Sequence, residues 1–101
     1  YLNRAVYFAV TNQHEKAVDD FTEYLSSKKE NPQGYNWRGI SYNKIGKYNE
    51  ALQDFNTAIE MKPNNGEYYY NRSLSYNGLG NAAQAQADAQ KATELGYQAP
   101  K

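Results

Sequence analysis

A single step of 34 residues maps this chain onto itself. It carries Tyr1 onto Tyr35 and Tyr69, Arg4 onto Arg38 and Arg72, Ala5 onto Gly39 and Ser73, and Phe8 onto Tyr42 and Tyr76. The same step relates Asn12, Gly46 and Gly80, then Ala17, Ala51 and Ala85, then Asp20, Asp54 and Asp88, and finally Phe21, Phe55 and Ala89. The register does not drift. A period of this length with two helices per copy restricts the chain to a helical solenoid, because one copy cannot bury its own apolar face and must stack on a neighbour.

The middle copy shows the two helices most plainly. Tyr48, Ala51, Leu52, Phe55, Ala58 and Ile59 are spaced so that all fall on one face of a helix. Before them, Tyr35, Gly39 and Tyr42 share a face of another helix, closed by Gly46, which can take the left-handed conformation that ends a helix. Carried to the other copies, the spacing predicts six helices, at about 1–11, 14–28, 33–45, 48–61, 67–79 and 82–95, and no strands. Asn31 with Pro32, and Pro63 to Gly66, are the breaks between copies.

Charge and composition narrow the function classes. Lys+Arg 11 balance Asp+Glu 11, so the field that draws proteins onto phosphate backbones is missing and nucleic acid is not an expected partner. No apolar run approaches the length of a membrane span, so no direct membrane insertion is expected. The chain opens on Tyr1 rather than Met, which predicts a processed or excised piece. With Cys 0, the chain is compatible with cytoplasm and periplasm alike.

Catalytic constellations do not assemble. His14 is the only histidine, and the repeat maps it onto Tyr48 and Ala82, so it is expected to seat the start of a helix. Asp19 and Asp20 are adjacent on a helix and point about 100° apart, which is wrong for an acid/base pair. The run Asn77 to Asn81 lacks a phosphate-loop lysine and reads as a helix end, and the sequon Asn71-Arg72-Ser73 falls inside a helix. The eleven tyrosines mostly occupy core positions without a basic groove beside them. Asp20, Asp54 and Asp88 recur in step with Arg4, Arg38 and Arg72, which predicts three ion pairs across the hairpins; the alternative is an arginine row that grips an acidic peptide. No enzyme, cofactor or metal is expected.

These positions carry a resemblance. Tyr35, Gly39, Tyr42, Gly46, Tyr48, Ala51, Phe55, Ala58 and Pro63 stand where the tetratricopeptide repeat family places its aromatic, small and proline residues. The likeness extends over essentially the whole chain, with departures at Tyr24, Lys29 and Tyr97, which replace the alanine and proline of the middle copy. It implies an all-α, right-handed superhelical solenoid of three antiparallel helix-turn-helix hairpins, one domain over 1–101 with units at about 1–31, 32–65 and 66–99. It also implies a protein-protein interaction module, a scaffold or adaptor, whose concave groove holds a peptide or helix of a partner protein.

Carried onto this chain, that groove presents Leu2, Val6 and Ala9 from the first unit, Asn36, Trp37, Ile40, Asn43 and Lys44 from the second, and Glu67, Tyr70, Asn71, Leu74 and Asn77 from the third. Val6, Ile40 and Leu74 form an apolar row, the asparagines would bond a peptide backbone, and Trp37 is the best single anchor. The plain alternative is that part of this row is core between hairpins. The clamp that some members use for the acidic tail of heat-shock chaperones falls here on Leu2, Val6, Trp37, Glu67 and Asn71, without a cation, so that tail is not an expected partner. The last helix is rich in alanine and either serves as a solvent cap or supports self-association through the C-terminal helix. A structural segment of a longer array, or a regulatory appendage of a larger protein, would carry the same residues.

Overall fold

Asparagine starts three of the helices. In the computed structural model, which describes residues 14–98, the order is α1 (His14–Ser27), α2 (Pro32–Lys44), α3 (Tyr48–Met61), α4 (Gly66–Gly78) and α5 (Ala82–Glu94). The helix expected at 1–11 lies outside the described residues. The side chains of Asn31, Asn65 and Asn81 accept from the backbone N–H groups of Gln33, Glu67 and Gln84, satisfying donors that a helix start leaves open. α2 and α4 begin one residue earlier than the spacing predicts, at Pro32 and Gly66, while α5 begins at the predicted residue. At the other ends, Gly46, Gly80 and Gly96 take φ of 80°, 79° and 88°, and the N–H groups of Lys47, Asn81 and Tyr97 reach back to the carbonyls of Tyr42, Tyr76 and Ala92.

The described residues form helices only, stacked as α1, then the α2/α3 hairpin, then the α4/α5 hairpin. The core runs along the stack through Ala17, Phe21, Ala51, Phe55 and Ala58, all wholly buried, with Leu25, Tyr68, Ala85 and Ala92 beside them. Phe55 alone is worth roughly 1.5–3 kcal/mol for its removal from water. The hairpin closes tightly because Gly39 has no side chain: a Cβ there would stand 2.6 Å from the Phe55 ring.

Two of the three predicted ion pairs are present. Arg38 Nε and Nη2 donate to the Asp54 carboxylate at 2.8 and 2.6 Å, and Arg72 repeats the fork on Asp88 at 2.7 Å for both bonds. Arg4 lies outside the described residues. Each arginine also reaches the preceding hairpin, Arg38 to Thr22 Oγ1 at 3.2 Å and Arg72 to Asn56 Oδ1 at 2.8 Å. Tyrosine rings flank both guanidiniums, Tyr35 and Tyr42 around Arg38, and Tyr69 and Tyr76 around Arg72. The guanidiniums are therefore committed to the fold. Burial lifts the Asp54 carboxyl above its ordinary range although Arg38 pulls the other way, and the hydrogen bond to Asp54 holds Arg38 still more firmly protonated.

The outward row changes character along the stack. Val18 and Leu25 of α1 are buried, their equivalents Leu52 and Ile59 of α3 are half-buried, and the next equivalents in α5 are the exposed Gln86 and Thr93. Ala82, Ala83 and Ala87 are exposed beside them. The α5 surface thus lacks the apolar side chains on which α1 and α3 seat the following hairpin.

Candidate interaction site

The inner helices α2 and α4 are joined by polar side chains. Tyr68 Oη donates to Gln33 Oε1 at 3.1 Å, Asn71 Nδ2 to Asn36 Oδ1 at 2.9 Å, Asn43 Nδ2 to the Asn71 carbonyl at 3.3 Å, and Ser75 Oγ to Asn43 Oδ1 at 2.6 Å. These four bonds form a seam between the hairpins. They also revise the role expected of the asparagines. Asn36 is 0% exposed and belongs to the core, and Asn43 and Asn71 spend bonding capacity on each other's helix instead of holding all of it for a ligand.

Beside the seam, on the inner face, opens a hollow of about 500 Å³. Ile40, Asn43 and Lys44 form one wall, and Glu67, Tyr70, Asn71 and Leu74 form the other. Seven of the expected groove residues therefore converge: Ile40, Asn43, Lys44, Glu67, Tyr70, Asn71 and Leu74. Leu74 is 41% exposed, a large apolar side chain left open to water on this face. Trp37 and Asn77 are not among the lining residues. The Trp37 ring lies 5.9 Å from that of Phe21, which makes it part of the junction between α1 and α2, and Asn77 is exposed near the end of α4. Leu2, Val6 and Ala9, expected to complete the groove, lie outside the described residues.

Two lining residues were not foreseen, Tyr48 and Tyr97. Tyr48 packs its ring over Gly78, where a side chain would collide with it. Tyr97 follows the left-handed Gly96 in the turn after α5 and swings back over α4, its ring 5.3 Å from that of Tyr70. Gly66 permits this crossing, since a Cβ there would stand 2.8 Å from the Tyr97 Cβ. A glycine at the first helical position, where α2 has Pro32, was the sequence signal for the close approach. Burial raises the Tyr97 phenol above its usual range, and the neighbouring Glu67 carboxylate raises it further.

Among the described residues no cluster of His, Cys, Asp or Glu could hold a metal ion, and no helix is long and apolar enough to cross a membrane.

Stacked helical hairpins with an open, part-apolar inner face define a repeat of the protein-interaction kind. Two tetratricopeptide repeat models match, one over residues 32–65 and a second over residues 66–95, and the chain belongs to the tetratricopeptide repeat family. No curated protein matches it in sequence. Among solved structures, the second TPR of Spaghetti (RPAP3), bound to an HSP90 peptide SRMEEVD, matches at TM-score 0.88 and 24% identity, covering 93% of this chain and 87% of that one. The first TPR of the same protein, bound to the same peptide, matches at TM-score 0.90 and 20% identity over 94% and 75%. MamA of AMB-1 matches at TM-score 0.88 and 21% identity, over 93% of this chain and 56% of that one. The chain spans about half the length of two of the MamA structures it matches, 52% of one and 56% of the other. At these identities the likeness is one of fold.

Proposed function

We propose that the chain is a non-enzymatic scaffold or adaptor whose concave face holds a peptide or helix of a partner protein. The observation that carries this is the hollow between α2 and α4, where Ile40 and Leu74 offer apolar surface within a rim of Asn43, Lys44 and Asn71. Apolar anchoring inside a polar rim is the general anatomy of a specific interface. The RPAP3 repeats of the same fold are bound to a peptide, which supports a similar use of this face. An acidic chaperone tail fits this face poorly. Glu67 sets a carboxylate on it, and Asn71 is already bonded to Asn36.

The test is a quantitative pull-down with the wild type and an Ile40→Ser, Leu74→Ser variant, with partners identified by mass spectrometry and titrated after purification. Partner affinity should fall at least tenfold in the variant while its thermal midpoint stays near that of the wild type. Partners held equally by both proteins would remove this face as the binding site.

A further inference from the structure

The hollow on the inner face is bordered on one side by two aromatic rings and a carboxylate. Tyr70 and Tyr97 lie 5.3 Å apart with their planes tilted by 38°, and Glu67 precedes Tyr70 by one helical turn. Glu67 and Tyr97 also line a second hollow, of about 670 Å³, formed by the loop from Met61 to Gly66 and the turn after α5. The two hollows therefore meet along Glu67 and Tyr97, with Tyr70 beside them in the first hollow, and all three residues are half-buried. The Glu67 charge is felt there, since it helps raise the phenols of both Tyr68 and Tyr97.

Glu67 differs from the other carboxylates that face a hairpin. Asp54 and Asp88 are each gripped by an arginine fork, whereas among the described residues no cation stands within ion-pair distance of Glu67. Lys44 and Lys62 line the adjoining hollows, but both are exposed and neither reaches it. A half-buried carboxylate without an ion-pair partner, in the same wall as two electron-rich rings, is complementary to a cation that can use both. The chain already shows the same chemistry internally, where Arg72 lies over the rings of Tyr69 and Tyr76 while bonding Asp88. Near Tyr70 the rings and the carboxylate are present and the guanidinium is the missing part.

We propose that Glu67, Tyr70 and Tyr97 form a subsite for an arginine or lysine of the partner segment, next to an aliphatic residue seated on Ile40 and Leu74. This rests on the concave-face reading above and adds the chemistry of the ligand, a basic and aliphatic peptide. Tyr97 then decides specificity from a turn outside the helices.

Random dodecapeptides displayed on phage, panned against the full 101-residue chain and remade with a fluorescein label, test it by anisotropy. Enriched peptides should carry Arg or Lys beside one or two aliphatic residues. Their affinity should fall about tenfold in Glu67→Gln and in Tyr97→Leu, and should persist in Tyr97→Phe, which keeps the ring. Glu67→Gln is isosteric, so it decides the matter alone if Tyr97→Leu loses its fold by circular dichroism. Peptides that lose affinity in Leu74→Asp yet lack a basic residue, or bind Glu67→Gln unchanged, overturn the cation subsite and leave the groove standing. Failure to enrich any peptide, or peptides indifferent to Leu74→Asp and Glu67→Gln alike, overturns both.

Discussion

Gly39 and Gly34 both sit in α2, and their substitution by alanine should have different outcomes. Alanine gains helix propensity at either position, by up to about 1 kcal/mol. At Gly39 the new methyl meets the Phe55 ring at 2.6 Å, and Phe55 is wholly buried with nowhere to retreat. Gly39→Ala should therefore destabilise by about 1–3 kcal/mol. At Gly34 the closest atom is the tip of Leu25, a flexible end, so Gly34→Ala should stay within about 1 kcal/mol of the wild type in urea unfolding. Arg38 poses the second residue-scale question. Asp54 is nearly buried, and Arg38→Met leaves it without a partner, so the variant should lose roughly 2–4 kcal/mol at neutral pH. Pairing Arg38→Met with Asp54→Leu should recover most of that, because the cost lies in the stranded charge. The sign with pH is also fixed. Burial raises the folded carboxyl, and losing Arg38 removes the two influences that lower it. The stability of Arg38→Met is then fully present below the ordinary carboxylate range and is lost as pH rises through the folded value. Its deficit against the wild type should shrink on acidification, and thermal melts across pH 3.5–7 measure that directly.

At the scale of elements, the seam between α2 and α4 and the outer row of α5 set how hairpins associate. Asn71→Ala deletes the donor to Asn36, leaving the Asn36 carbonyl oxygen sealed without a partner, so it should cost about 1–3 kcal/mol. Asn77→Ala, on an exposed side chain, should cost almost nothing. On α5, Gln86→Leu with Thr93→Ile copies the row that α3 presents to α4, and the doubly substituted chain should self-associate in sedimentation velocity more strongly than the wild type. An unchanged sedimentation profile would show that the row does not govern stacking. Much of this level was legible in the sequence. The step of 34 located the five described helices to within a residue or two and paired Arg38 with Asp54 and Arg72 with Asp88, because period and face are local properties that recur. The bonds of Asn36 and Asn43 were not legible, since a face shared along one helix does not say which side chain of the next hairpin meets it. Tyr97 escaped for a different reason: it acts from a turn, where no periodicity applies, and only Gly66 hinted at its path.

For the molecule as a whole, the two kinds of joint have different mechanical characters. Within a hairpin, α2 meets α3 through the Phe55 ring pressed against Gly39, and separating them opens a void that nothing fills. Between hairpins, the inner helices meet through amides and hydroxyls, whose bonds water can replace at a small net difference. Tyr48 over Gly78 holds α3 against α4 as closely as Phe55 holds the hairpin, so the polar seam between α2 and α4 is the easier of the contacts between hairpins to part. Hydrogen exchange should show the α2 and α4 amides at the seam opening more readily than those behind Phe55.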